Sequence, residues 1–427
     1  MDVTFQFRHY SRVFRHALFT PLGVWSSRLG MVVRLQQGDR VAYGDITPIP
    51  WFAGESFDEV FQFCGRWQRQ LTHGVTAEAI AAIPASLPAT QFGLGWAWEQ
   101  LQRLEQAEQA RQARQESERE SPGDRESGLA PNTVRDPGIE TGAVTRTSAG
   151  TSAGASASTV PKTTHTRPPG INPAQFWPDQ TQLDREPALP QAALLPQGQG
   201  ALAAWEELWT QGYRTFKLKV GDRSLDQDLA LIQTLCGALP GEARLRLDAN
   251  GKLEEAEARQ LLEQCDRWDS IEFVEQPIAA RLYADISLGP LEPEVAAAID
   301  NYTPWPLLQR LAQDYRTPIA VDEAVTTVEQ VRLAYDQGWR GVFVLKPSLA
   351  GSPQAVRDLF ALPALDLVFS SAFESAIGRQ AVLALAAEWA TQNPGHQRAA
   401  GSGVSQFLQQ DGLDSATAEA VWKFIHF

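Results

Sequence analysis

The chain has 427 residues, 43% of them hydrophobic and 21% charged, with a formal net charge of −14. That length allows two or three domains and a large core, and the acidic balance argues against a nucleic-acid partner or an anionic membrane surface. Its three cysteines, Cys64, Cys236 and Cys265, form neither a zinc pattern nor a disulfide framework, which points to a reducing, cytoplasmic setting.

The opening stretch MDVTFQFRHYSRVFRH places charge every few residues and so lacks a signal-peptide core. No run of 18 apolar residues occurs anywhere, so no membrane insertion is expected. Residues 3–7 (VTFQF) and 31–35 (MVVRL) alternate apolar and polar side chains and read as strands, with Gln37-Gly38-Asp39 as a turn between strands. After Asp45 comes ITPIPWFAGES, a Pro/Gly-rich loop that carries Trp51 and Phe52. Helical patterns around 56–72 and 88–110 complete a small α+β domain over 1–104.

From about residue 105 the composition changes to Gln, Arg, Glu and Ser, and then to a Ser/Thr/Ala/Gly/Pro-rich tract. Such a segment buries too little apolar surface to offset the entropy of ordering it, so 105–186 reads as a long, low-complexity, disordered insertion that starts as a fraying helix.

Beyond it the texture is regular. Short apolar runs (QAALLP, TFKLKV, RLRLD, IEFVE, PIAVD, GVFVLK, DLVFSS) alternate with helical stretches such as ALAAWEELWTQ, DQDLALIQTLCGAL and EEAEARQLLEQC. That alternation predicts an α/β architecture, a (β/α)7β TIM-type barrel over 187–395. The last barrel strand falls in a C-terminal segment, 396–427, where QRAAGSG (397–403) is its candidate. No GxGxxG or Walker-type loop follows any strand, which speaks against a nucleotide.

A barrel carries its chemistry at the C-terminal ends of its strands. Those ends deliver Lys217 and Lys219, then Asp248, Glu275, Asp322 and Lys346. Period-two alternation places Lys217 with Lys219 on one face, Arg246 with Asp248 and Asn250, and Glu275 in line with Ile271 and Phe273. Taken singly, each signal is ordinary: a K-x-K on a solvated face, an Asp capping the next helix, a lysine snorkelling to solvent. In order on five strands they are not. Three carboxylates without His or Cys suit Mg²⁺, and lysines on either side of them suit removal of a proton alpha to a carboxylate.

The K-x-K strand, the D-A-N strand end, V-E-Q-P, V-D-E and L-K-P stand in the order found in the enolase superfamily, which the sequence resembles, and within it the o-succinylbenzoate synthase branch. RLGMVVRLQQGDRVAYGDITPIPWFAGESFDE resembles the capping-domain hairpin and substrate-covering loop of that family, and FSSAFESAIG its seventh-strand segment. The likeness covers about 1–103 and 187–427. It implies that Asp248, Glu275 and Asp322 ligate Mg²⁺, that Lys219 is the base and that Lys346 is the cation on the opposite face. It also implies that Lys217 lowers the proton affinity of Lys219 by like-charge repulsion. Arg246, Asn250 and Glu323 become supporting candidates, and Ser370 and Ser371 fall in the segment that helps bind a carboxylate-bearing arm.

The implied reaction on this small-molecule carboxylate is syn-dehydration of 2-succinyl-6-hydroxy-2,4-cyclohexadiene-1-carboxylate, in menaquinone or phylloquinone biosynthesis. N-succinylamino acid racemase, dipeptide epimerase and muconate cycloisomerase stay open, as do a metal-free Schiff-base lyase and a non-catalytic barrel. Residues 276–321 form a connection longer than one helix and two loops need, and AARLYADISLGPLEPE within it predicts an added loop near the metal site. The sequence carries no signal for an oligomeric state.

Overall fold

A long antiparallel hairpin opens the fold. In a computed structural model, which describes residues 2–20, 23–71, 73–120, 189–282, 303–395, 397–403 and 407–425, β1 (Thr4–Thr20) pairs with β2 (Gly23–Gln37). β3 (Arg40–Ile46) adds to the other edge of β2. The strands predicted at 3–7 and 31–35 are therefore only the base of the hairpin. Its upper part escapes an apolar-alternation reading because Arg12 and Arg28, directly opposed in the register, are both buried. A register shift between Val13 and Leu18 breaks the period further.

The helices Phe57–Gln70 and Pro88–Glu120 pack on this sheet around Phe5, Met31, Val33, Leu35, Val60, Trp67 and Leu94. Ser56 and Glu59 cap the first helix reciprocally, each side chain satisfying the other's backbone N–H. The second helix was expected to end near 110, with the insertion beginning at 105. It continues to Glu120, because Ala, Gln, Glu and Arg are strong helix formers, although residues 106–116 are exposed. The rest of the insertion, 121–186, lies outside the described residues.

The barrel strands are β4 (Ala192–Leu194), β5 (Thr215–Lys219), β6 (Arg244–Asp248), β7 (Ile271–Glu275), β10 (Ile319–Val321), β11 (Val342–Leu345) and β12 (Leu367–Phe369). Between β7 and β10 a short parallel pair, β8 (Ala280–Arg281) and β9 (Thr303–Pro304), precedes the helix Trp305–Asp314; residues 283–302 of the expected loop lie outside the described residues. The seven longer strands form one parallel sheet in chain order. Outward side chains such as Leu218, Leu247 and Val274 meet the helices, while Phe273, Ala320, Val342, Val344 and Val368 fill the interior.

Closure comes from the segment expected to be the eighth strand. Ala400 bridges to Gln191 and Gly401 to Ser370, joining the two edges of the sheet by isolated bridges. Ala and Gly offer little to a ladder, and ion pairs inside the barrel do the rest. Arg246 binds Glu272 (2.7 Å), which also takes Arg398 (2.7 Å), and Arg398 reaches Asp366 (2.7 Å).

Residues 407–425 return to the hairpin. Leu408 bridges to Phe14, Arg12 pairs with Asp411 and Asp414, and Arg8 donates to the carbonyls of Trp422 and Ile425. The described residues within 1–106 and 174–427 thus make one compact unit, and the site described next lies wholly within it. Among the described residues no helix is long and apolar enough to cross a membrane.

Candidate active site

Backbone register brings the strand-end residues into a row. Lys219 pairs with Asp248, Asp248 with Glu275, and Glu275 with Ala320, two residues before Asp322. Lys346 follows β11 directly and caps the short helix Pro347–Ala350. In the strand order β5-β6-β7-β10-β11 the lysines therefore stand on the outer two strands and the carboxylates on the three between. Asp248, Glu275 and Asp322 are 1%, 1% and 5% exposed, so their charges lie well out of water.

The ammonium groups meet these carboxylates directly. Lys217 Nζ stands between Asp248 Oδ2 (2.7 Å) and Glu275 Oε1 (2.8 Å), and Lys219 Nζ lies 2.9 Å from the same Asp248 oxygen. Lys346 binds Asp322 and lies over the Phe52 ring, 4.4 Å from its centre. Burial pushes the Asp248 carboxyl up, but Lys217 and Lys219 outweigh it and hold the group below the usual carboxylate range. Burial pulls Lys217 down, yet Asp248, Glu275 and Asp322 together raise it well above an ordinary lysine. Glu275 goes the other way: burial, and then the charge of Asp248, lift it to about 7. Burial also raises Asp322 and Glu323.

Supporting residues fix this row. Asn250 accepts from Lys219 through Oδ1, donates to Glu323 Oε1 (2.9 Å), and donates its backbone N–H to Asp248 Oδ1 (3.1 Å). Gln276 Oε1 accepts from the backbone N–H groups of Asp322 (3.1 Å) and Ala324 (3.2 Å). Both Asn250 and Gln276 have positive φ, 46° and 39°, a conformation that non-glycine residues hold mainly where surroundings enforce it.

The donor set suits a hard divalent cation. It is made of oxygens alone; Glu323 Oε2 is buried without a hydrogen bond, and Asp248 Oδ2 is met only by the two lysine ammonium groups. Among the described residues no three acidic, His or Cys side chains are drawn together at metal-binding spacing; the lysine ammonium groups supply the positive charge among these carboxylates.

Not every predicted residue joins the row. The bonds of Arg246 go to Glu272 and the Ala399 carbonyl, which makes it part of barrel closure. A register shift after Leu245 puts Ile271 in the outer layer, off the face of Phe273 and Glu275, and turns Glu272 toward Arg246. Ser371 spends its hydroxyl proton on Glu374 Oε2 (2.5 Å), whereas Ser370 remains half-buried at the strand end. Gln276 and Glu374 were not singled out, and Phe52 was noted only as an aromatic of the loop after Asp45. The Gln-Pro step after Glu275 was legible as a turn, and Phe52 as a loop aromatic, but their partners come from other elements.

Comparison with known proteins gives the family. The family description "MenC, N-terminal domain" matches residues 22–101 and "Enolase C-terminal domain-like" matches 200–291. An o-succinylbenzoate synthase of Thermosynechococcus vestitus is 31% identical, with 98% of each chain covered. This chain belongs to the o-succinylbenzoate synthase family of the enolase superfamily. Within that family, the crystal structure of o-succinylbenzoate synthase from Thermosynechococcus elongatus BP-1, complexed with Mg in the active site, superposes with a TM-score of 0.67 at 30% identity, covering 98% of both chains. An N-succinylamino acid racemase of Thermus thermophilus is 27% identical over 52% of each chain.

Proposed function

We propose that this family member is a working o-succinylbenzoate synthase, a lyase that dehydrates 2-succinyl-6-hydroxy-2,4-cyclohexadiene-1-carboxylate to 2-succinylbenzoate on the way to menaquinone or phylloquinone. The observation that carries this reading is the strand order, with lysines on β5 and β11 flanking buried carboxylates on β6, β7 and β10. Asp248, Glu275 and Asp322 would hold Mg²⁺, with Glu323 beside them; when bound, the ion supplies concentrated positive charge to the substrate carboxylate.

Lys219, as the free amine, takes the proton from the ring carbon alpha to that carboxylate. As the ammonium it then returns the proton to the leaving hydroxyl on the same face, so that water departs and the ring becomes aromatic. Lys217, its charge held by Asp248 and Glu275, gives Lys219 a fixed cationic neighbour on the same strand face. Lys346 presents its charge from the opposite side, backed by Phe52.

The test is loss of diene absorbance on mixing substrate, protein and Mg²⁺. Turnover should vanish with EDTA, return with Mg²⁺, and fall by about 10²–10⁴-fold or more in Lys219→Ala; an active Lys219→Ala chain overturns the assignment of the base. A second activity, racemisation of N-succinylamino acids, is favoured by the presence of a lysine on each side of the carboxylates. It predicts exchange of the α-proton with D2O for both enantiomers, read by proton NMR.

A further inference from the structure

The loop after β12 contains a buried carboxylate that the reaction does not use. Glu374 is 2% exposed. Its Oε1 accepts from the Ser348 hydroxyl (2.5 Å) and the Ala372 N–H (2.8 Å), and its Oε2 from the Ser371 hydroxyl (2.5 Å). Ser348 belongs to the single turn that begins at Lys346, and Ser371 and Ala372 lie in the loop just after the next strand, β12. One side chain therefore ties the segment carrying the far-side lysine to its neighbour in the barrel.

The cap grips the same loop. Arg12 donates to the Glu374 carbonyl (2.7 Å) and Arg28 to the Ala372 carbonyl (2.9 Å). Arg28 also donates to Pro48 O (2.6 Å), four residues before the Phe52 ring that lies against Lys346. A closed circuit results, running from Lys346 through Ser348, Glu374 and Ala372 to Arg28, and back through the 47–52 loop to Phe52. Between Ala372 and Glu374, Phe373 is held at φ +62°, its ring packed on Phe14 and Trp25. A bulky residue adopts that conformation only where its surroundings over-determine it. A buried carboxylate is also an expensive way to join two loops, and apolar packing would serve if mere cohesion were required.

We propose that Glu374 is a positioning residue for Lys346, fixing the turn that begins at Lys346 so that the ammonium stays between Asp322 and Phe52. The kinetic part of this inference rests on the reading of function above, but the positioning itself has a readout that needs no turnover.

The experiment compares wild type with Glu374→Gln by brief acetylation with acetic anhydride in the presence of Mg²⁺, followed by peptide mass spectrometry at each lysine. Acetylation of Lys346 should rise about tenfold in the variant, as expected when a local tether is lost, while Lys217, held on β5 by Asp248 and Glu275, keeps its wild-type rate. On the diene substrate, kcat should fall about 10- to 100-fold with KM changed less than about threefold. Ser348→Ala, which cuts the tether only on the Lys346 side, should move both readouts in the same direction by a smaller factor, and it carries the test if Glu374→Gln does not fold. An unchanged Lys346 rate, or equal increases at Lys346 and Lys217, overturns the proposal. A wild type that leaves the diene intact while Lys346 still responds to Glu374→Gln overturns the reading of function and keeps the positioning role.

Discussion

At the barrel mouth Asp248, Glu275 and Asp322 find their partners in lysine ammonium groups, whereas at the seam beneath the cap Asp45 and Glu374 find theirs in serine and tyrosine hydroxyls and backbone N–H groups. Asp45 accepts from Ser375 N (2.8 Å), Ser375 Oγ (2.7 Å) and Tyr10 OH (2.9 Å). Both sets are buried, but the partners differ in kind. An ammonium on a four-carbon stem can swing away and exchange a proton, while a backbone N–H can do neither. The mouth is built from partners that can be replaced by a substrate or an ion. The seam is built from partners that fix one arrangement of cap on barrel.

Four substitutions bear on that contrast. The largest effect belongs to Asp248→Ala, which strips the common partner of two lysines. It should abolish turnover and lower stability by about 3–5 kcal/mol in urea denaturation; a loss under about 1 kcal/mol would mean that the mouth is as freely hydrated as a surface.

The seam should instead report itself through pH. Burial raises Asp45 from an ordinary 3.8 to about 6, so between those values the folded chain keeps a proton there that the unfolded chain has released. Its contribution to stability is full below about pH 4 and lost as pH rises through about 6, by up to about 3 kcal/mol. Asp45→Asn should remove that slope in unfolding free energies measured from pH 4 to 7, and an unchanged slope would place the titration elsewhere.

Gly378 tests how tightly the seam is packed. A Cβ there would come within 2.6 Å of Glu374 Cβ and 2.8 Å of Asp45 Oδ2, so Gly378→Ala should cost about 2–3 kcal/mol by overpacking, visible as a lower urea midpoint. Smallest is Phe52→Leu, where the seam's loop touches the mouth. It removes the ring under Lys346 and should cost about 1–2 kcal/mol of transition-state stabilisation, measured as reduced kcat with stability nearly unchanged.

The same contrast explains what could be read beforehand. The mouth was legible because each of its charges follows an apolar strand directly, so that position along one chain segment sufficed. Arg246 was misjudged for a related reason: alternation puts it on the inner face, but a register shift gives it Glu272 as a partner. The seam was not legible. Asp45 and Ser375 lie 330 positions apart, and Arg12 and Arg28 become buried only through the pairing of the hairpin. Closure of the barrel by Ala400 and Gly401 was nearly invisible, since such residues carry no strand propensity and Arg398 supplies the hold. The helix to Glu120 shows the converse error, where a composition read as low-complexity still has strong helix formers.

One feature of the cap bears on how the chain is made. β1 is an edge strand, and its outer side is covered by residues 393 to 417 positions further on, through Arg15 to Leu408 and Arg8 to Ile425. During synthesis that edge emerges from the ribosome long before its cover. At about 5–20 residues per second, the hairpin waits tens of seconds with an open strand edge, the kind of surface on which other chains pair. Removing the whole covering segment, 407–425, would extend that exposure indefinitely, so chaperone demand and aggregation, rather than catalysis, are where such a truncation would first be felt.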